Sequence, residues 1–98
     1  MKEYVIAGNK FRLIEYGDLT PKKESVINSL LEANNIESGI EMNLYAINLF
    51  PLILVPPDGI SLDVLDITYN QMIGIILDYK KAKKDFRDKI LQNSIPAQ

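Results

Sequence analysis

Two short runs of strand-favouring residues, separated by a two-residue turn, constrain the start of this chain more than any other feature does. Tyr4-Val5-Ile6-Ala7 and Phe11-Arg12-Leu13-Ile14-Glu15-Tyr16 flank Gly8-Asn9, a dipeptide suited to a type I′ or II′ turn. Such a turn sets Ala7 opposite Lys10, Ile6 opposite Phe11, Val5 opposite Arg12 and Tyr4 opposite Leu13. Cross-strand partners share a face, so Tyr4, Ile6, Phe11 and Leu13 make one apolar side. Val5, Lys10 and Arg12 occupy the other, more mixed side. Two strands alone are barely stable in water, so the apolar side has to pack on something else.

Helical segments supply the cover. Thr20-Pro21 reads as an N-cap followed by proline at the first helical position, where its missing N–H costs nothing. Val26, Ile27, Leu30 and Leu31 then recur at helical spacing, and this helix is expected to lie on the hairpin. Residues 40–50 fit either a strand or a buried helix. The capping-box spelling Ser38-Gly39-Ile40-Glu41 favours the helix, with Pro51 expected to break or kink it at Phe50. Pro56-Pro57-Asp58-Gly59 reads as a turn, and Ser61 to Asp66 as one short helical turn. Thr68-Tyr69-Asn70-Gln71 spells a second capping box, after which the chain stays helix-compatible to about Asn93. Along it Tyr69, Met72, Ile73, Ile76, Tyr79, Phe86 and Ile90 are expected on one buried face. The expected fold is α+β: an N-terminal hairpin packed against about three to four helices, the last the longest. Residues 1–93 are expected to form one domain and 94–98 a frayed tail.

Composition narrows the chemistry. The 98 residues include no Cys and no His, which excludes disulfides, thiol chemistry, the usual general base near neutral pH and the commonest transition-metal ligand. The five glycines form neither a dinucleotide fingerprint nor a phosphate loop, and no serine sits in a nucleophile-elbow motif. Asp58, Asp63 and Asp66 cluster without the longer ligand pattern of a calcium loop. No catalytic residue, cofactor or metal ligand is therefore expected. The N-terminus lacks a secretory pattern, and the most apolar stretch, Leu44 to Pro57, falls short of the roughly 20 residues of a spanning helix. A cytoplasmic location without membrane insertion is the expectation.

Charge is unevenly placed. Residues 1–79 hold five Lys/Arg against eleven Asp/Glu, a balance of −6, whereas residues 80–98 hold six against two, a balance of +4. The cations Lys80, Lys81, Lys83, Lys84 and Arg87 form one candidate surface. They suit a solvated helix end first, an acidic protein partner second and nucleic acid last, because Asp85 and Asp88 interrupt the run. The apolar segment Phe50-Pro51-Leu52-Ile53-Leu54-Val55 is the other candidate. It reads either as core beneath a loop or as a partner-facing patch through Phe50, Leu52, Ile53, Leu54 and Val55.

The order of these features resembles a known family. The hairpin Tyr4-Val5-Ile6-Ala7-Gly8-Asn9-Lys10-Phe11-Arg12-Leu13, a Thr-Pro helix start, apolar helices and a Thr-capped, Ile-rich helix from Thr68 to Tyr79 ending in charge look like the small tail assembly chaperones of tailed bacteriophages and prophages. The likeness covers most of the chain and lies in layout. It implies a non-enzymatic assembly factor in the host cytoplasm. Such a factor would mask apolar segments of client proteins such as the tape-measure or tail-tube protein, and could also form a homo-oligomer. Two alternatives stand beside it: an oligomeric structural phage component (a connector or accessory protein), and a nucleic-acid-binding accessory protein that uses the basic last helix.

Overall fold

A computed structural model describes residues 2–33 and 47–94. Strands β1 (Glu3–Ile6) and β2 (Asn9–Leu13) form the hairpin, and a 3-10 turn at Tyr16–Asp18 leads into helix α1 (Pro21–Ala33). Residues 47–53 are helical (α2) and pass directly into a two-residue strand, β3 (Leu54–Val55). A second 3-10 turn, Val64–Asp66, precedes the 26-residue helix α3 (Tyr69–Ser94). The fold is α+β, with an antiparallel three-stranded sheet in the order β1-β2-β3.

The hairpin turns one residue earlier than its dipeptide suggests. Ile6 faces Asn9, Val5 faces Lys10, Tyr4 faces Phe11 and Glu3 faces Arg12, so Ala7 and Gly8 are the turn residues. Both have positive φ, 50° and 80°, as a type I′ turn requires, and glycine takes the second central position. The Asn9 amide donates to the Ala7 carbonyl at 3.3 Å. Moving the turn by one residue shifts the pairing by two, and a shift of two leaves every side chain on its original face. Tyr4, Ile6, Phe11 and Leu13 therefore still share the inner side. Ile6, Phe11 and Leu13 are buried there, while Tyr4 is half-buried.

Strand β3 has no clear signal in the sequence. Arg12 pairs with Val55 and Leu13 with Leu54, and the Ile14 N–H donates to the Ile53 carbonyl at 2.8 Å. Pro51 does not end α2, which runs on to residue 53 before the chain extends. Residues 40–46 and the Ser38–Glu41 cap lie outside the described residues; 47–50 are helical.

Two expected caps are formed. Thr20 Oγ1 accepts from the Lys23 N–H at 3.2 Å, and its carbonyl accepts from Glu24 N–H at 2.9 Å, with Pro21 opening α1. At α3 the box is reciprocal: Gln71 N–H donates to Thr68 Oγ1 at 3.1 Å, and Thr68 N–H donates to Gln71 Oε1 at 3.0 Å. The Gln71 amide nitrogen then donates to the Val5 carbonyl at 2.8 Å, so one side chain caps α3 and fastens it to the open edge of the sheet. Tyr4 Oη makes a second tie, donating to Asp78 Oδ2 at 2.8 Å. The turn after Pro57 closes with Ile60 N–H on the Pro57 carbonyl, 3.1 Å, around Gly59 at φ +76°.

The core lies between the inner face of the sheet and α1, α2 and α3. Ile27, Leu49, Phe50, Ile53 and Ile75 are fully inaccessible. Among the described residues every buried side chain is hydrophobic.

Candidate protein-binding surface

Helix α3 meets the rest of the protein through one face and one half more than the other. Met72, Ile75, Ile76 and Tyr79 are buried, and Ala82 and Phe86 continue their line as partly covered neighbours of the core. The buried face is rotated from the expected one. Ile75 belongs to it, whereas Tyr69, Ile73 and Ile90 are exposed. From Met72 to Tyr79 apolar residues occur on more than half the circumference, so periodicity could not set the phase. The ties of Gln71 and Asp78 to β1, and the packing of Tyr79 and Phe86 on Tyr16, set it instead.

That packing is aromatic. The Tyr16 ring centroid lies 5.9 Å from that of Tyr79 and 5.3 Å from that of Phe86, both pairs tilted. Gly17 allows it, because a Cβ there would fall 3.1 Å from Phe86 Cε2. Around these rings runs a polar network. The Tyr16 hydroxyl donates to the Glu24 carboxylate, Asn28 Nδ2 also donates to Glu24 (3.5 Å), and Lys83 Nζ donates to Asn28 Oδ1 (3.0 Å). The Tyr16 hydrogen bond does most to hold the Glu24 carboxyl below its ordinary pKa; Asn28, Lys83 and Arg87 add to this, and partial burial opposes it. Burial, then Glu24, raises the Tyr16 phenol. Tyr79 is pushed up to about 12, first by burial and then by Glu24, and its hydroxyl has no hydrogen-bond partner among the described residues. Burial and the bond to Asp78 likewise raise Tyr4.

The structure divides the candidate residues. Phe50, Ile53 and Leu54 are buried, so the core alternative holds for them and they offer no surface in this fold; Leu52 and Val55 are half-buried. Among the cations, Lys83 is half-buried and engaged with Asn28, and Arg87, though exposed, acts on Glu24. Lys80, Lys81 and Lys84 are exposed. Lys81 borders a cleft of about 310 Å³ whose charged walls mix Lys2 with Glu15, Asp78 and Asp85, so no single sign dominates it.

A solvent-facing flank of α3, about 120° round the helix from the buried line, carries a feature that the apolar pattern of the sequence hides. Tyr69, Ile73, Leu77, Lys80, Lys84, Arg87 and Leu91 follow one another at intervals of four, four, three, four, three and four residues. At 3.6 residues per turn they all fall within an arc of about 80°. All are exposed, Tyr69 by 52%, Ile73 by 49%, Leu77 by 60% and Leu91 by 59%. The row thus reads apolar, then cationic, then apolar. The spacing is present in the sequence, but Tyr69 and Ile73 also fit the expected core face.

Neither protein-family models, nor curated proteins, nor solved structures give a match to this chain. Among the described residues no helix is long and apolar enough to cross a membrane.

Proposed function

We propose that this chain is a non-enzymatic, protein-binding assembly factor of the phage tail assembly chaperone kind, which masks apolar segments of client proteins in the host cytoplasm. One observation carries the reading: a long helix presents Tyr69, Ile73 and Leu77 to solvent in line with Lys80 and Lys84. Single exposed apolar side chains are ordinary on soluble proteins, but three successive ones on a single helix face are a contact surface in search of a partner. Flanking cations orient such a contact and speed its formation. The lack of His and Cys in the sequence supports a role exercised by surfaces rather than by proton transfer.

The clients proposed are the tape-measure and tail-tube proteins of the phage or prophage that encodes the chain. Co-expressing each client with and without this protein, and measuring the soluble fraction and co-purification, tests the reading. A stoichiometric complex and a rise in soluble client are expected. Unchanged solubility of both clients, with no complex recovered, refutes it.

A further inference from the structure

We infer that the outer row of α3 is a docking track for an amphipathic helix that bears carboxylates at its middle and apolar side chains on either side of them. The inference rests on the protein-binding reading above and names the chemistry of the partner.

Geometry selects a helix. The row from Tyr69 to Leu91 extends 22 residues, or about 33 Å at the helical rise, with its side chains about one turn apart. A second helix laid alongside repeats its own side chains at the same interval, as in coiled-coil seams. An extended strand presents same-face side chains every two residues, about 6.6 Å, and drifts out of step within a few contacts.

Charge selects the partner. Lys80, Lys84 and Arg87 occupy the middle of the row, and Arg87 already acts on Glu24, which leaves Lys80 and Lys84 as the principal determinants. A second copy of α3, docked antiparallel about any point from Lys80 to Arg87, or parallel in register, sets cation against cation and is disfavoured. Carboxylates on the incoming helix match these positions, and its apolar residues match Tyr69, Ile73 and Leu77 on one side and Leu91 on the other. Nucleic acid fits less well, because the row ends in apolar residues and Asp85 and Asp88 lie exposed beside it.

The test uses the full chain and two synthetic helical peptides of about 25 residues that differ only in three central seam positions, Glu in one and Lys in the other. Titrations followed by calorimetry and amide NMR give both affinity and location. The Glu peptide is expected to bind at least tenfold more tightly than the Lys peptide, with shifts concentrated on residues 69–91 and weakened by salt. The double variant Lys80→Glu/Lys84→Glu is expected to invert the preference, and Ile73→Asp to abolish binding with an unchanged circular dichroism spectrum. Equal affinity for the two peptides, no binding of either at millimolar concentration, or a preference untouched by the double variant overturns the track. So does tighter binding of a duplex or single-stranded oligonucleotide through the same residues, or self-association that covers the row. A wild-type chain that solubilises its client while ignoring charge reversal refutes the track alone; one that solubilises nothing refutes the protein-binding reading itself.

Discussion

Replacing Tyr79 with Phe removes one oxygen atom from the centre of the fold and nothing else. The Tyr79 side chain is 1% exposed, its hydroxyl has no hydrogen-bond partner among the described residues, and the nearby Glu24 carboxylate disfavours its ionisation. In the unfolded chain that hydroxyl is hydrated, so folding strips it of water without replacement. A buried polar group left in that condition costs about 1–3 kcal/mol. The Phe ring keeps the tilted contact with Tyr16 at 5.9 Å and leaves a void of only one oxygen atom, so the cavity term offsets little of the gain. Tyr79→Phe is therefore expected to stabilise the protein by about 1 kcal/mol, which for a domain near 100 residues raises Tm by roughly 4–8 °C. Urea unfolding followed by far-UV circular dichroism should show a higher midpoint at constant slope. Tyr4→Phe is the matched control. It deletes the 2.8 Å bond to Asp78 and should lower stability by about 1 kcal/mol, reflecting a charge-assisted hydrogen bond that is partly exposed. A Tyr79→Phe protein less stable than wild type would refute the reasoning, because it would mean that the hydroxyl is satisfied in the native state.

Other perturbations follow from the same packing and electrostatics. Phe50→Ala should cost about 3–5 kcal/mol in urea unfolding, since its ring is fully buried, whereas a surface role would leave stability unchanged. Gly74→Ala should stabilise by up to about 1 kcal/mol in the same assay, as its Cβ enters open space on a helix. Ala7→Asn should be neutral to stabilising by about 1 kcal/mol, because Asn tolerates the φ of 50° better than Ala, and a loss on this substitution would argue against the Ala7-Gly8 turn. The pH dependence has two limbs. Glu24 has a lowered folded pKa, so its contribution is complete above the ordinary glutamate value near 4.3 and is lost as pH falls through the folded value; Glu24→Gln should flatten that acid limb. Tyr4, Tyr16 and Tyr79 keep their protons in the folded state above the ordinary tyrosine value. Stability should therefore be complete below pH 10 and decline as pH rises through 10 towards 12, which absorbance of ionised tyrosine during alkaline unfolding would follow.

Local chemistry was legible in the sequence wherever it was self-contained. Thr20-Pro21 and Thr68–Gln71 announced helix starts that side-chain hydrogen bonds complete, and alternation alone assigned Tyr4, Ile6, Phe11 and Leu13 to one side of the sheet. Features that depend on the rest of the chain were not. Gly8-Asn9 and Ala7-Gly8 bury the same side chains, so the pattern could not choose between the two turns. Leu54–Val55 is too short a strand to show alternation, and it exists because β2 offers an edge to it. The phase of α3 was ambiguous because Ile73, Ile75, Ile76 and Leu77 are all apolar. The ties from Tyr4 and Gln71, and the Tyr16 stack, go with Ile75 turned inward and Ile73 and Leu77 left outside. The exposed row was obscured by the same ambiguity, since Tyr69 and Ile73 fit the expected core face and Leu77 and Leu91 stood outside any expected surface.

Hydroxyl-radical footprinting of the full chain, alone and saturated with the client proposed above, a tape-measure protein, measures directly whether the outer face of α3 does the binding. Tyr69, Ile73, Leu77 and Leu91 should be oxidised in the free protein and protected in the complex, with Phe50 and Ile53 unreactive in both. Strong labelling of Tyr69, Ile73 and Leu77 that persists in the complex while another surface becomes protected would contradict that assignment, as would protection of those three residues already in the free chain.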